Sequence, residues 1–314
     1  MTLTDALAII PSMRTFLLVS GAILLFGCST DTFVGSDGGA DSGAGDVVID
    51  TPQVTNDGAA DADITPLNPN NLGNDLVLWL RADDANFDNG TSLVSQWQDQ
   101  SPHQQAITLK TGSPGSCSPL GVSMHENEVN SLPAVSFCGA VIEAADDASL
   151  QWGTDGAFLI AAVVQLGSPL TPDNYFFATK TTSSTAASGF ALWAPNALGG
   201  VEAYLKATDL PHLTASVSGA GQYHVMTLAR RKALAKSTLT FRIDGVSTPL
   251  TVNPEDVSEL GAPLVIGGFD NGSGGILHVI PGKLAEILVV ANATGLPDLL
   301  PASMDLYLEQ KYKL

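Results

Sequence analysis

The sequence predicts an all-β fold: a two-sheet antiparallel sandwich of the jelly-roll kind, closed by one short C-terminal helix. Three observations carry this. About a dozen short apolar segments with strand character are separated by Gly, Pro, Asn and Asp, with no helical pattern between them. Asp244-Gly245 stands between Thr238–Ile243 and Thr248–Val252, a dipeptide that favours a tight hairpin. Charged residues make up only 14% of the 314, alongside 31 Gly and 18 Pro, a composition suited to strands and turns and not to a helical bundle.

In chain order, residues 15–27 are an uncharged apolar run preceded by Arg14 and followed by Cys28. Spanning a bilayer takes about 20 apolar residues, so this run is short for a span and reads as a secretory signal. Translation starts at Met1 or at Met13, just before Arg14. Residues 29–66 hold eight Asp, no base and one aromatic, Phe33. Such a segment cannot offset its ordering entropy by burial, and it reads as a disordered acidic tether reaching roughly 35 Å. The expected organisation is therefore a signal at 1–27, a tether at 28–66 and one folded domain at 67–314.

Leu76–Leu80 opens the strand pattern. Leu93–Trp97, Ala134–Phe137, Phe158–Gln165, Tyr175–Thr179, Phe190–Trp193, Val201–Leu205, Tyr223–Ala229, Leu264–Ile266 and Lys283–Val290 continue it. The helix is expected over Pro301–Lys313, with Met304, Leu308 and Tyr312 at four-residue spacing and proline at its start. Trp79 and Trp97 are expected in the core, Asp99 in a turn accepting backbone N–H groups, and Glu286 facing solvent or the concave sheet.

The formal net charge is −19, from 13 Lys and Arg against 32 Asp and Glu. That balance excludes nucleic acid as a partner, since phosphate neutralisation needs clustered cations. The five His are scattered without ligand spacing, which excludes a zinc site of the usual pattern. Cys28, Cys117 and Cys138 are the only cysteines. With Cys28 set apart at the end of the signal segment, Cys117 and Cys138 remain as a disulfide pair in a secreted domain, two separate buried thiols being the alternative.

Leu25-Phe26-Gly27-Cys28 resembles the lipobox of bacterial lipoproteins, in which the Cys is acylated and becomes the mature N-terminus. The resemblance implies a lipid bilayer as partner. Ser29 in place of Asp implies an outer-membrane lipoprotein of the cell envelope. Leu78-Trp79-Leu80-Arg81-Ala82-Asp83, then Val94 to Ser101, then Leu132-Pro133-Ala134-Val135-Ser136-Phe137, resemble the opening of LamG-type, concanavalin A-like jelly-roll domains of bacterial secreted proteins. Phe241 to Gly245, Ile266-Gly267-Gly268 and Gly282 to Val289 fit the same family. The chain departs from it at Pro102, where Gly is usual, and at Cys138, where Asp is usual. The resemblance covers about 72–314 and implies fold more than function.

No alternating carboxylate run of the glucanase kind, no G-x-S-x-G and no phosphate loop is present, so no catalytic residue is assigned. Glu255-Asp256-x-x-Glu259 has the wrong spacing. Asp83, Asp84, Asn86 and Asp88 crowd one loop with Asn89 and are the candidate calcium ligands, an ordinary polar turn being the alternative. Trp193, Tyr204 and Tyr175 lie near turns and are the candidate sugar-binding aromatics, packing between sheets being the alternative. The expected function is non-catalytic binding of a glycan or surface protein, with calcium as an optional cofactor. A polysaccharide hydrolase or lyase and a purely structural surface module are the other two readings.

Overall fold

A computed structural model describes residues 64–88, 91–112, 119–153, 156–167, 175–180, 189–194, 200–205, 213–216, 221–232, 237–252, 261–270, 276–277, 279, 282–292 and 294–314. All of them belong to the compact unit Gly58–Leu314. The signal segment, Cys28, residues 29–63 of the tether, Asn89, Cys117 and the acids Glu255, Asp256 and Glu259 lie outside the described residues.

The strands in chain order are β1 (Leu76–Arg81), β2 (Ala85–Phe87), β3 (Val94–Trp97), β4 (Ile107–Thr111), β5 (Gly121–Val129), β6 (Leu132–Cys138) and β7 (Ala140–Ala144). They continue with β8 (Ala157–Leu166), β9 (Tyr175–Thr179), β10 (Phe190–Ala194), β11 (Gly200–Leu205), β12 (Leu213–Ser216) and β13 (Tyr223–Lys232). The last are β14 (Ser237–Ile243), β15 (Val246–Val252), β16 (Leu264–Ile266), β17 (Phe269–Asp270), β18 (Ile276–Leu277) and β19 (Gly282–Asn292), followed by helix α1 (Leu300–Tyr312). The first sheet runs β15-β14-β13-β8-β19-β6-β5, with β1 also paired to β19, and the second runs β12-β11-β10-β9-β16-β7-β4. The two sheets are antiparallel throughout. Asp244 and Gly245 both take positive φ, 48° and 76°, as the predicted β14–β15 hairpin requires.

The uninterrupted apolar run of β8 has a direct cause. Phe158, Ile160, Ala162 and Val164 pack into the core between the sheets. Leu159, Ala161 and Val163 pack into a second core on the outer face. There Met304, Leu308 and Tyr312 of α1 cover the sheet together with Trp79 and Leu288. A strand buried on both faces loses the alternation of a half-exposed one. Trp97 sits in the inter-sheet core as expected, and its Nε1 donates to the Arg81 carbonyl at 2.8 Å. Trp79 is in the outer core beneath the helix.

Glu286 departs from the expectation of a solvent-facing or concave-face carboxylate. It is fully buried. Its Oε1 accepts from Trp79 Nε1 at 2.6 Å and Tyr307 Oη at 2.9 Å, and its Oε2 accepts from Lys311 Nζ at 2.6 Å and Tyr312 Oη at 2.9 Å. Burial first, then the Glu286 charge, pushes both phenols far above the ordinary tyrosine value, so both stay protonated donors. A second anchor is Asp305, which accepts from Thr227 Oγ1 at 2.5 Å and Arg242 Nε at 2.6 Å. Asp99 behaves as the sequence predicts: it accepts backbone N–H groups of Trp79 (2.7 Å), Ser101 (2.9 Å) and Gln105 (2.7 Å).

Removing one member of a buried ion pair strands the other charge, at a cost of about 3–5 kcal/mol. Lys311→Met should therefore lower the unfolding free energy by about 3 kcal/mol, read by urea titration. Adding Glu286→Gln to that variant should restore part of the loss, because the stranded charge is gone.

Candidate functional site

The outer face of the first sheet changes character beyond the helix. Register sets Ser123 of β5 opposite Ser136 of β6, and Ser136 opposite Lys283 of β19. Lys283 is opposite Gln165 of β8, and Gln165 is opposite Tyr223 of β13. Side chains alternate with period two along each strand, so these five positions form one polar row. Their apolar neighbours, among them Val122, Met124, Val135, Phe137, Val164 and Leu284, point the other way into the inter-sheet core.

His125 shares the Ser123 face. Its Nε2 lies 2.7 Å from Ser136 Oγ, and its Nδ1 lies 3.7 Å from Glu128 Oε1. Glu128 Oε2 pairs with Lys283 Nζ at 2.7 Å. Simple alternation would send Glu128 to the face opposite His125. The β5–β6 register shifts between His125 and Val129, and Asn127 within that bulge adopts φ 57°. The bulge returns Glu128 to the side of the histidine, a re-aiming that bulges commonly perform.

Two depressions flank the row and share Gln165. One, of about 620 Å³, is lined by Ser123, His125, Ser136 and Lys283; the other, of about 720 Å³, by Glu128, Tyr223, Asp244 and Glu309. Gln165 Nε2 donates to the Gly221 carbonyl at 2.7 Å, which orients the side-chain amide beside both depressions. Among the described residues, the Ser123 and Tyr223 hydroxyls are buried without a hydrogen-bond partner. Burial, and secondarily Glu128, pushes the Tyr223 phenol above its usual range. Burial lowers His125 below 6.5, Lys283 lowers it further, and Glu128 opposes both.

The candidate aromatics fall on three adjacent strands of the second sheet: Tyr175 on β9, Trp193 on β10 and Tyr204 on β11. Trp193 is in register with Phe176 and Glu202, and Tyr204 with Ala191. The side chains of all three lie outside the described residues. In the candidate calcium loop, Arg81 engages two carboxylates, Asp84 at 2.5 Å and Asp83 at 3.7 Å. Asn86 pairs with Gln96 between β2 and β3, and Asp88 is exposed in the turn that follows. Among the described residues no three His, Cys, Asp or Glu side chains are grouped to hold a metal ion. Cys138 is buried at the end of β6, opposite Gly121.

The polar row escaped sequence reading because β5 reads as Gly-Val-Ser-Met-His-Glu-Asn-Glu-Val, a segment too polar to stand out as a strand. Its signal was the alternation of Val122 and Met124 with Ser123 and His125.

His125 should titrate below 6.5 in ring-proton NMR. Lys283→Met should raise that midpoint and Glu128→Gln should lower it. A depressed folded value means that the stability His125 contributes is in place above its unfolded pKa and is lost as pH falls through the folded one.

No family model matches the chain, and no curated protein matches it. Among solved structures it is similar to the botulinum neurotoxin serotype D binding domain, at 14% identity and a TM-score of 0.49, covering 78% of this chain and 53% of that one. It is also similar to domain 4 of AbnA, a GH43 extracellular arabinanase from Geobacillus stearothermophilus solved with arabinotriose. That match has 12% identity and a TM-score of 0.47, covering 74% of this chain and 97% of that one. The binding domain of Paraclostridial Mosquitocidal Protein 1 matches at 11% identity and a TM-score of 0.47, covering 76% of this chain and 53% of that one. The chain spans about half the length of the two toxin domains.

Proposed function

We propose that this chain is a lipid-anchored protein of the cell envelope whose sandwich binds an extended carbohydrate along the polar row, without cleaving the glycosidic backbone. Cys28 carries the acyl chain, residues 29–66 form the tether, and the outer membrane is the bilayer. The observation that supports binding is the pair of buried hydroxyls, Ser123 and Tyr223, unpartnered among the described residues at either end of the row. Buried polar groups are ordinarily satisfied, and hydroxyls left open beside a groove are the groups a polyhydroxylated ligand bonds. Gln165 and Lys283 between them add an amide and a cation, and the Tyr223 ring offers an apolar edge.

Retention on an immobilised panel of envelope and plant polysaccharides tests the binding. Gln165→Ala and Tyr223→Phe should each weaken it about 10-fold, the equivalent of one hydrogen bond at about 1.4 kcal/mol. Retention by nothing on the panel counts for a structural module, and release of reducing sugar counts for a hydrolase or lyase. Retention abolished by EDTA and restored by calcium supports a calcium site, and loss of that response in Asp88→Ala would assign it to the loop of Asp83, Asp84, Asn86 and Asp88. Labelled palmitate should enter the protein in cells and be lost in Cys28→Ser; failure of wild type to label overturns the anchor.

We further propose the Cys117–Cys138 disulfide. Gly112 N donates to the Gly139 carbonyl at 2.7 Å, and Gly121 pairs with Cys138. The connecting segment that carries Cys117 thus leaves and returns beside Cys138, which supports a bridge. Closing a loop of about 20 residues contributes about 3 kcal/mol, so Cys138→Ala should lower the melting temperature; an unchanged melting curve overturns the bridge.

A further inference from the structure

We propose that Ser136 is the nucleophile, and His125 its general base, of a site that hydrolyses a carboxylic ester, an O-acyl group on a polar carrier. An O-acylated sugar is the carrier that rests on the binding reading above; the ester chemistry itself does not depend on it. The 2.7 Å contact between Ser136 Oγ and His125 Nε2 is short enough for the imidazole to take the serine proton when Nε2 carries none. In the tautomer with its proton on Nδ1, the imidazole faces Glu128 at 3.7 Å, a separation suited to a loosely held apo arrangement. Glu128 is the positioning residue, and Lys283 holds its other oxygen.

Two further observations point to the same chemistry. The register pairs Ser136 with Ser123 on one side and with Lys283, which holds Glu128, on the other. The Ser123 hydroxyl is 8% exposed as a residue, lines the 620 Å³ depression and has no partner among the described residues. The unpartnered Ser123 hydroxyl beside Ser136 is a donor that a developing oxyanion can take, while the Lys283 ammonium stays on Glu128. The bulge that aims Glu128 at the histidine holds Asn127 at φ 57°, a local backbone cost placed beside the dyad. Burial and Lys283 lower His125, a shift that favours the neutral imidazole a general base requires.

The balanced steps are these. Ser136 Oγ bonds to the ester carbonyl carbon while its proton passes to His125 Nε2. The bond from that carbon to the alcohol oxygen breaks, and the alcohol leaves with the proton. Water then attacks the acyl-serine and gives a proton to His125. The acid departs, and Ser136 regains its hydrogen. Ester and water become acid and alcohol, with no oxidant or metal consumed.

The test is labelling of the whole secreted chain with a fluorophosphonate, followed by peptide mass spectrometry, alongside p-nitrophenyl acetate turnover. The expected result is one adduct, on Ser136. Ser136→Ala should remove both adduct and turnover, and His125→Gln should slow labelling at least about 100-fold. Melting curves matching wild type show that either variant has folded. Absence of a Ser136 adduct on folded wild type overturns the proposal, as does an adduct whose rate is indifferent to His125→Gln. Polysaccharide retention measured on the same wild-type sample separates the two readings. Retention without an adduct defeats the esterase alone, and an adduct without retention defeats the glycan reading alone.

Discussion

The Glu286 carboxylate is the constraint around which the outer half of the molecule is arranged. A fully buried carboxylate is tolerable only when its lone pairs are occupied and its charge is paired. Here the indole of β1, two phenols and one ammonium of α1 meet that demand. Since three of the four donors come from the helix, the carboxylate fixes both the position and the rotation of α1 on the sheet. Where the helix lies, the sheet is apolar and closed. Where the helix ends, the face is open and polar, and that is where Ser123, His125, Ser136, Lys283, Gln165 and Tyr223 stand.

Much of this fold was legible beforehand. The apolar run of Phe158–Gln165, the Asp244-Gly245 turn and the Met304, Leu308, Tyr312 stripe each appear where local physics puts them. Asp99 accepts the backbone N–H groups expected of an aspartate before a turn. Strands β4, β5 and β7 were harder to see, because short or polar strands owe their state to pairing with distant partners. Glu286 was misread for a related reason. Within its own strand it looks like a polar residue aimed at water, and only the residues of α1, some twenty positions later, make its burial possible.

The site was less legible than the fold. Its five central positions come from five strands spread between Ser123 and Lys283, one residue from each. No spacing rule links them; sheet register does. Glu128 adds a second obstacle, since ordinary alternation assigns it to the wrong face until the bulge at Asn127 is known. The loop around Asp83 and Asp84, by contrast, is dense in oxygen ligands in one dimension, yet Arg81 already occupies two of its carboxylates.

The bulge in β5 has a consequence for how one copy of this chain can meet another. β5 is the last strand of the first sheet, and a straight outermost strand offers its free amides and carbonyls to any similar strand nearby. Its first half is shielded by Ser92 and Leu93, with Met124 N donating to the Ser92 carbonyl at 2.7 Å. Its second half is kinked at Asn127. At this margin a second copy of the chain therefore meets no continuous template for strand addition, and the first sheet stops at β5.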